Sequence, residues 1–200
     1  SVKKNKKEVP TLSEINENIL VLSPGDQYDE TYENYLKIYL SGSLDISGKG
    51  ISWQEKFING LAKLTTPHPE SPEIPDYSAY KFLIINPLMP VSGEPTIDNP
   101  QFLEKAQWEL GMMGQADVIF CNFLKKSTML SAIQGYLLWA QSGKVVCRCP
   151  IESTFYSQIK VISDTFGVPM VGDTGSVIKV MDTIFQSIPK FNELLNYNIS

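Results

Sequence analysis

The chain has 200 residues, of which 42% are hydrophobic and 20% are charged, and its formal net charge at pH 7 is -5. This length and composition suit one globular domain with a sizeable core. The acidic balance argues against a general nucleic-acid binder, because affinity for a phosphate backbone needs a basic face. We therefore expect one domain and no nucleic-acid partner.

The three cysteines, Cys121, Cys147 and Cys149, fall in apolar runs. An odd number of buried thiols predicts no disulfide framework and a reducing compartment, the cytoplasm. His68 is the only histidine and there is no second cysteine pair, so we expect no metal site. We also expect no cofactor. No apolar run reaches the roughly 18 residues of a membrane span, and no apolar signal core follows the basic start "SVKKNKKE". The sequence thus predicts a soluble protein with no membrane partner.

Residues 1–34 are polar and rich in turn formers, and we interpret them as an N-terminal arm or an added edge element. Residues 35–200 are assigned to a single α/β domain. Its first apolar run, "KIYLSGS", predicts a buried strand that ends at Gly42. The following "SWQEKFINGLAKL" predicts a helix with Ser52 as its N-cap.

A second apolar strand, "KFLIINP", stops at Asn86 and Pro87, because proline blocks further pairing. The loop from 88 to 100 is long enough to cover a site. The next helix, "NPQFLEKAQWELGMMGQ", carries Glu109 off its apolar stripe, and "ADVIFCNF" predicts a central strand. A helix over about 128–141, the strand "KVVCRCP", a further helix, the short strand "GVPMVG" and a last helix, "SVIKVMDTIFQSI", complete the pattern.

This alternation predicts a flavodoxin-like or Rossmann-like α/β fold, with a parallel sheet of about five strands and helices on both faces. Ligands of such sheets bind beyond the carboxyl ends of the strands. That rule nominates residues 41–45, 86–93, 122–128 and those after Cys149. A Rossmann dehydrogenase is disfavoured, because no G-x-G-x-x-G pattern follows the first strand. A TIR-like module would show the same alternation.

Six segments in order resemble the nucleoside 2-deoxyribosyltransferase family, particularly its second branch: "IYLSGSLD", "WQEKF", "NP", "QWEL", "ADVIFCNF" and "LLWAQSGKVV". The resemblance runs over roughly residues 37–185. It implies a flavodoxin-like domain, a homo-oligomer and a pocket shaped for a nucleoside. It also implies that bases are exchanged on 2-deoxyribose through a covalent glycosyl intermediate.

Cleavage of an N-glycosidic bond needs a carboxylate near the anomeric carbon and an acid near the base nitrogen. By resemblance, Glu109 matches the family's helix acid that contacts the base or a sugar hydroxyl. Glu109 and Asp45 are therefore the candidate catalytic residues. The family's nucleophilic glutamate, however, falls on Gly135 or, with a shift of one residue, on Gln134. Neither residue can form a glycosyl ester.

Three interpretations of the missing glutamate remain open. In the first, the protein acts on the N-glycosidic bond of a nucleoside or nucleotide, by base exchange or by hydrolysis with Glu109 or Asp45 as the acid. In the second, it is a catalytically inactive family member that binds a nucleotide or nucleotide derivative as a sensor or sponge. A phosphate would then be bound where the helix starts, at residues 125–128. In the third, the fold survives only as an assembly component.

The candidate substrate-binding residues follow the predicted strands or lie on the helix after the third strand. They are Ser41, Gly42, Ser43, Asn86, Pro87, Asn122, Lys126, Ser127, Thr128 and Gln134. Structural roles compete with this interpretation, because Asp45 can cap a turn and Glu109 can belong to a solvated helix face. The three tryptophans stand at apolar helix positions, so we expect core or subunit contacts rather than base stacking.

Overall fold

A computed structural model of the chain describes residues 13–42, 51–67, 73–125, 130–172 and 175–197. Within these ranges the strands form one six-stranded sheet, in the order β1-β2-β4-β3-β5-β6. They are β1 (Ser13–Asn16), β2 (Ile19–Leu22), β3 (Leu36–Gly42), β4 (Phe82–Ile85), β5 (Val118–Asn122) and β6 (Val145–Arg148). The β1 and β2 pair is antiparallel, and each other pair is parallel. The predicted α/β fold is confirmed.

The N-terminal strands extend the sheet beyond β4. Ile19 to Leu22 of β2 pair in register with Phe82 to Ile85 of β4. The side chain of Asn18 connects the turn between β1 and β2 to the segment before β4. Its amide donates to the carbonyl oxygens of Ser78 (2.8 Å) and Tyr80 (2.9 Å). Part of the segment interpreted as an arm or edge element is thus built into the sheet.

Helices connect the parallel strands and follow the last one. They are α1 (Trp53–Leu64), α2 (Pro100–Gln115), α3 (Leu130–Trp139), α4 (Tyr156–Phe166), α5 (Val177–Ser187) and α6 (Pro189–Tyr197). Ser52 caps α1 as predicted, since its hydroxyl accepts from the Glu55 N–H at 3.1 Å and the Glu55 carboxylate accepts from the Ser52 N–H at 2.9 Å.

Two details differ from the predicted elements. The helix α6 was not anticipated; it starts at Pro189, a residue whose fixed φ suits the first turn of a helix. The predicted strand "GVPMVG" is reduced to a single bridge between Met170 and Cys147. Pro169 has no N–H to donate, so it contributes only a carbonyl, which accepts from the Cys147 N–H at 2.9 Å.

Two apolar clusters cover the two faces of the sheet. One joins the sheet to α1, α5 and α6 around residues such as Phe57, Met181 and Phe191. The other joins it to α2, α3 and α4 around residues such as Met113 and Tyr136. The interior strands β3 and β5 are buried on both faces, so their sequences are mostly apolar, and Lys37 is the one charged residue of β3.

The amino edge of the sheet contains a buried ionic cluster. Lys37, at the start of β3, is 6% exposed, and its ammonium lies 3.7 Å from a carboxylate oxygen of Asp117. The same carboxylate accepts from the Lys37 backbone N–H at 2.8 Å and pairs with the ammonium of Lys190 at 2.9 Å. Asp117 therefore ties β3, the start of β5 and α6 together.

Candidate active site

The parallel register brings the ends of three strands to one edge of the sheet. Ser41 and Gly42 of β3 lie beside Cys121 and Asn122 of β5, and β4 ends next to them at Ile85. Glycine is required at 42, where φ is +148° and an added Cβ would lie 2.2 Å from the Asn122 carbonyl oxygen. The strands β3 and β5 therefore approach closely where a ligand would bind.

A small cleft of about 60 Å³ opens at this edge, between β3, α2 and α3. Four of its lining residues, Ser41, Gly42, Pro87 and Glu109, are predicted site residues. The lining residues are Tyr39, Ser41, Gly42, Pro87, Glu109, Met113 and Gly135. Of the described residues that line the cleft, only Glu109 carries a carboxylate.

The carboxylate of Glu109 forms an ion pair with Lys105, one turn earlier on α2. The Glu109 side chain is 25% exposed, so a molecule in the cleft can reach it. The ammonium of Lys105 balances its negative charge. Tyr39 lines the cleft together with Glu109, and its pKa is raised mainly because the phenol is buried and further because Glu109 is negatively charged. The cleft thus offers a carboxylate acceptor beside a neutral phenol.

Ser41 connects the floor of the cleft to a buried thiol. Burial raises the pKa of Cys121 to about 12, and its hydrogen bond with Ser41 opposes part of this rise. A thiol with such a pKa stays protonated at neutral pH, so Cys121 is not a nucleophile there. The hydroxyl of Ser41 faces α3 on its other side, at Gly135.

Position 135 faces the cleft, whereas position 134 does not. A Cβ added to Gly135 would lie 3.2 Å from the Ser41 hydroxyl oxygen and 3.6 Å from the Met113 sulfur. Gln134 is exposed and is not among the lining residues. Of the two positions left open for the family's nucleophilic glutamate, the geometry favours 135.

The two predicted asparagines lie at the sheet edge but use their side-chain oxygens within the fold. The Asn86 oxygen accepts from the Leu88 N–H at 3.1 Å, which forms a turn after β4. The Asn122 side chain is buried, and its oxygen accepts from the Arg148 guanidinium at 3.1 Å. Pro87, by contrast, lines the cleft directly.

Five predicted site residues lie outside the described residues: Ser43, Asp45, Lys126, Ser127 and Thr128. Lys125, which directly precedes Lys126, pairs with Glu152 at 2.7 Å, with both side chains largely exposed. The described parts of the chain contain no group of three or more histidine, cysteine or acidic side chains that could hold a metal ion.

Two lining residues, Tyr39 and Met113, were missed in the sequence. Both have a positional signal, because Tyr39 lies two residues before Ser41 on the same face of a strand, and Met113 lies one turn after Glu109 on α2. The tryptophans pack as expected for core residues. Trp53 contacts Phe120 edge to face, and the Trp108 indole donates to the Asp26 carbonyl at 2.8 Å.

No helix in the described ranges is both long enough and apolar enough to cross a membrane. A search among curated proteins finds no match to the chain. A family model described as nucleoside 2-deoxyribosyltransferase like matches residues 35–152, which is more than half of the chain and includes β3, α2, β5 and α3. The protein therefore belongs to the nucleoside 2-deoxyribosyltransferase-like family.

Proposed function

We propose that the protein binds a nucleoside or nucleotide in the cleft beside Ser41 and does not exchange bases through a covalent intermediate. One observation carries the proposal. The helix position whose side chain would enter the cleft is occupied by Gly135, which has no side chain to attack the sugar. In this interpretation the protein is a pseudoenzyme that retains its ligand, as a sensor or sponge would.

The chemistry of base exchange explains why this position matters. A covalent mechanism needs one carboxylate to attack the anomeric carbon and a second acid to protonate the leaving base. Glu109 alone supplies a carboxylate among the described lining residues, so one group would have to perform both tasks. The described lining residues therefore do not support transfer of the sugar from one base to another, whereas they do support recognition of a polar ligand.

Glu109 suits a binding role. Its ion pair with Lys105 holds the carboxylate near Tyr39, where it can accept hydrogen bonds from a sugar hydroxyl or a base N–H. The Ser41 hydroxyl, which also lines the cleft, can donate or accept a hydrogen bond. These groups suit the recognition of a nucleoside through its hydroxyls and base edge. A phosphate site at residues 125–128 stays a prediction from the sequence.

A second candidate function is hydrolysis of the N-glycosidic bond. It is favoured by the location of Glu109 beside Ser41, because a single carboxylate can act as a general acid or base while water attacks. Asp45 remains the predicted second acid for this reaction. Hydrolysis would release a free base catalytically, whereas binding would retain an unaltered ligand in a fixed ratio to protein.

The test compares Glu109→Gln with Glu104→Gln, a change at an exposed glutamate of the same helix. Deoxynucleosides and nucleoside monophosphates are titrated calorimetrically, and free base is followed in parallel. We expect Glu109→Gln to weaken binding about 10-fold to 100-fold and Glu104→Gln to leave it unchanged. Catalytic base release that Glu109→Gln abolishes would replace the binding proposal with hydrolysis, and equal affinities of the two variants would refute a role for Glu109.

A further inference from the structure

The chain uses arginine at a single position. Of its 17 lysines and arginines, only Arg148, the last residue of β6, is an arginine. A guanidinium is planar, stays charged near neutral pH and presents its N–H donors in a fixed fork, which matches two oxygens of a phosphate. A lysine ammonium has no such fork. Arg148 is also partly exposed, so a ligand at the carboxyl edge of the sheet can reach it.

Arg148 lies at the same edge of the sheet as the cleft, two strands away from it. Gly42, which lines the cleft, is in register with Asn122 of β5, and Asn122 is in register with Arg148. Neighbouring strands are about 4.8 Å apart, so the row from Gly42 to Arg148 spans about 10 Å. A nucleoside monophosphate has a similar length from its base to its phosphate. A single ligand of this class can therefore reach from the cleft to Arg148.

The side chains of Arg148 and Ser41 lie on opposite faces of the sheet. Side chains alternate along a strand, so Arg148 faces the same side as Val146, which belongs to the apolar cluster with α1 and α5. Ser41 faces the cleft beside α3. Gly42 follows Ser41 and has no side chain of its own to obstruct a ligand that extends over the end of β3. Such a ligand would cross the carboxyl edge, where parallel sheets bind their ligands.

Two contacts hold the guanidinium of Arg148 in place. It donates to the side-chain oxygen of Asn122 at 3.1 Å, and Asn122 is itself buried. It also lies against Gly175, where an added Cβ would be 2.3 Å from the Arg148 Nε. The backbone comes this near because position 175 is a glycine, with φ of +50°. A guanidinium held in this way loses less conformational freedom on binding an anion than a mobile surface lysine does.

We infer that Arg148 binds the phosphate of a nucleoside monophosphate whose nucleoside part occupies the cleft, and that it makes the protein selective for nucleotides over nucleosides. The inference rests on the proposed function, because the nucleoside part is the ligand proposed for Glu109 and Ser41. It differs from the phosphate site predicted at residues 125–128, which precedes α3. The fork supplies both charge and geometry, since two phosphate oxygens can accept parallel N–H bonds from one guanidinium.

Calorimetric titration with deoxynucleosides and their 5′-monophosphates tests the inference on the full chain. We expect the wild type to bind the monophosphate about 100-fold more tightly than the nucleoside. Arg148→Gln should reduce this preference about 30-fold and leave nucleoside affinity within about 2-fold, because the amide can still donate to Asn122 but carries no charge. Lys125→Gln is the matched control, since it removes an exposed positive charge after β5, and it should keep the preference.

Circular dichroism shows whether each variant is folded, and Arg148→Lys serves as the test should Arg148→Gln not fold. Lysine keeps the charge without the fork, so the preference should fall about 5-fold. A wild type that binds nucleosides and monophosphates equally would overturn the inference and leave the proposed function intact. So would a preference that Lys125→Gln removes and the Arg148 variants keep. A wild type that binds neither ligand would refute the proposed function, and the inference with it.

Discussion

The two edges of the sheet use their polar residues in different ways. At the amino edge, the Asp117 carboxylate is bound by the backbone and ammonium of Lys37 and by Lys190, within the fold itself. At the carboxyl edge, Glu109 has one partner on its own helix and borders an open cleft with Ser41. Carboxylates of similar chemistry are thus satisfied within the fold at one edge of the sheet and border an open cleft at the other.

The largest effect of a substitution is expected at the amino edge. Asp117→Ala should lower the free energy of unfolding by about 4 kcal/mol, because it leaves the buried Lys37 ammonium without its carboxylate. Urea unfolding measures this loss. Asp164→Ala, which breaks the exposed pair with Lys160, is the control and should change stability little. Equal effects of the two variants would show that the amino-edge cluster is not structural.

Gly42→Ala should lower the free energy of unfolding by about 3 kcal/mol, since the new Cβ would collide with the Asn122 carbonyl oxygen. Gly143→Ala separates this collision from the effect of positive φ. Gly143 has φ of +76° but no described atom within 4 Å of an added Cβ, so about 1 kcal/mol is expected there. Equal losses of stability for the two variants in thermal and urea unfolding would contradict the close approach of β3 and β5.

Gly135→Ala should separate binding from stability at the carboxyl edge. Its methyl group would reach the Ser41 hydroxyl and narrow the cleft, so nucleoside or nucleotide affinity should fall about 10-fold. The free energy of unfolding should change by less than about 1 kcal/mol, because the helix preference of alanine and the tight contact of its methyl group with Ser41 oppose each other. Gln134→Ala is the control on the same helix. If Gln134→Ala weakens binding more than Gly135→Ala does, the assignment of the cleft-facing position is wrong.

A pH-dependent effect is expected in alkaline solution. Burial raises the pKa of Tyr136 to about 12 from 10.0, and the hydrogen bond with Ser163 opposes part of the rise. The folded protein therefore keeps this proton longer than the unfolded chain, so its contribution to stability is complete below pH 10 and is lost as the pH rises toward about 12. Tyr136→Phe should reduce the alkaline loss of stability. Parallel unfolding curves against pH for both proteins would contradict this.

Much of the fold is predictable because its central strands are buried on both faces. Runs such as "ADVIFCNF" predict β5, and Ser52 predicts the start of α1, since each depends on local sequence. The strand expected at "GVPMVG" fails because a proline removes one of its donors. The local sequence pattern therefore predicts the helices and strands well, but it predicts less well which strands pair in the sheet.

The candidate site was harder to predict than the fold. Periodicity places Glu109 off the apolar stripe, but a polar helix face can border a cleft or bulk solvent, and only the packing of α2 against β3 distinguishes them. A shift of one residue turns a helix position by about 100°, so the choice between Gly135 and Gln134 needs the position of α3. Tyr39 was overlooked because an aromatic residue in an apolar strand resembles any core residue.

The most direct test of the binding proposal is mass spectrometry of the protein after incubation with 2-deoxynucleosides and a different free base. Native spectra should contain protein with one unaltered ligand, and denaturing spectra of the same sample should contain the protein at its unmodified mass, with no new nucleoside in solution. A deoxyribosyl adduct that survives denaturation, or a nucleoside carrying the added base, would contradict the account, because Gly135 offers no group to hold the sugar.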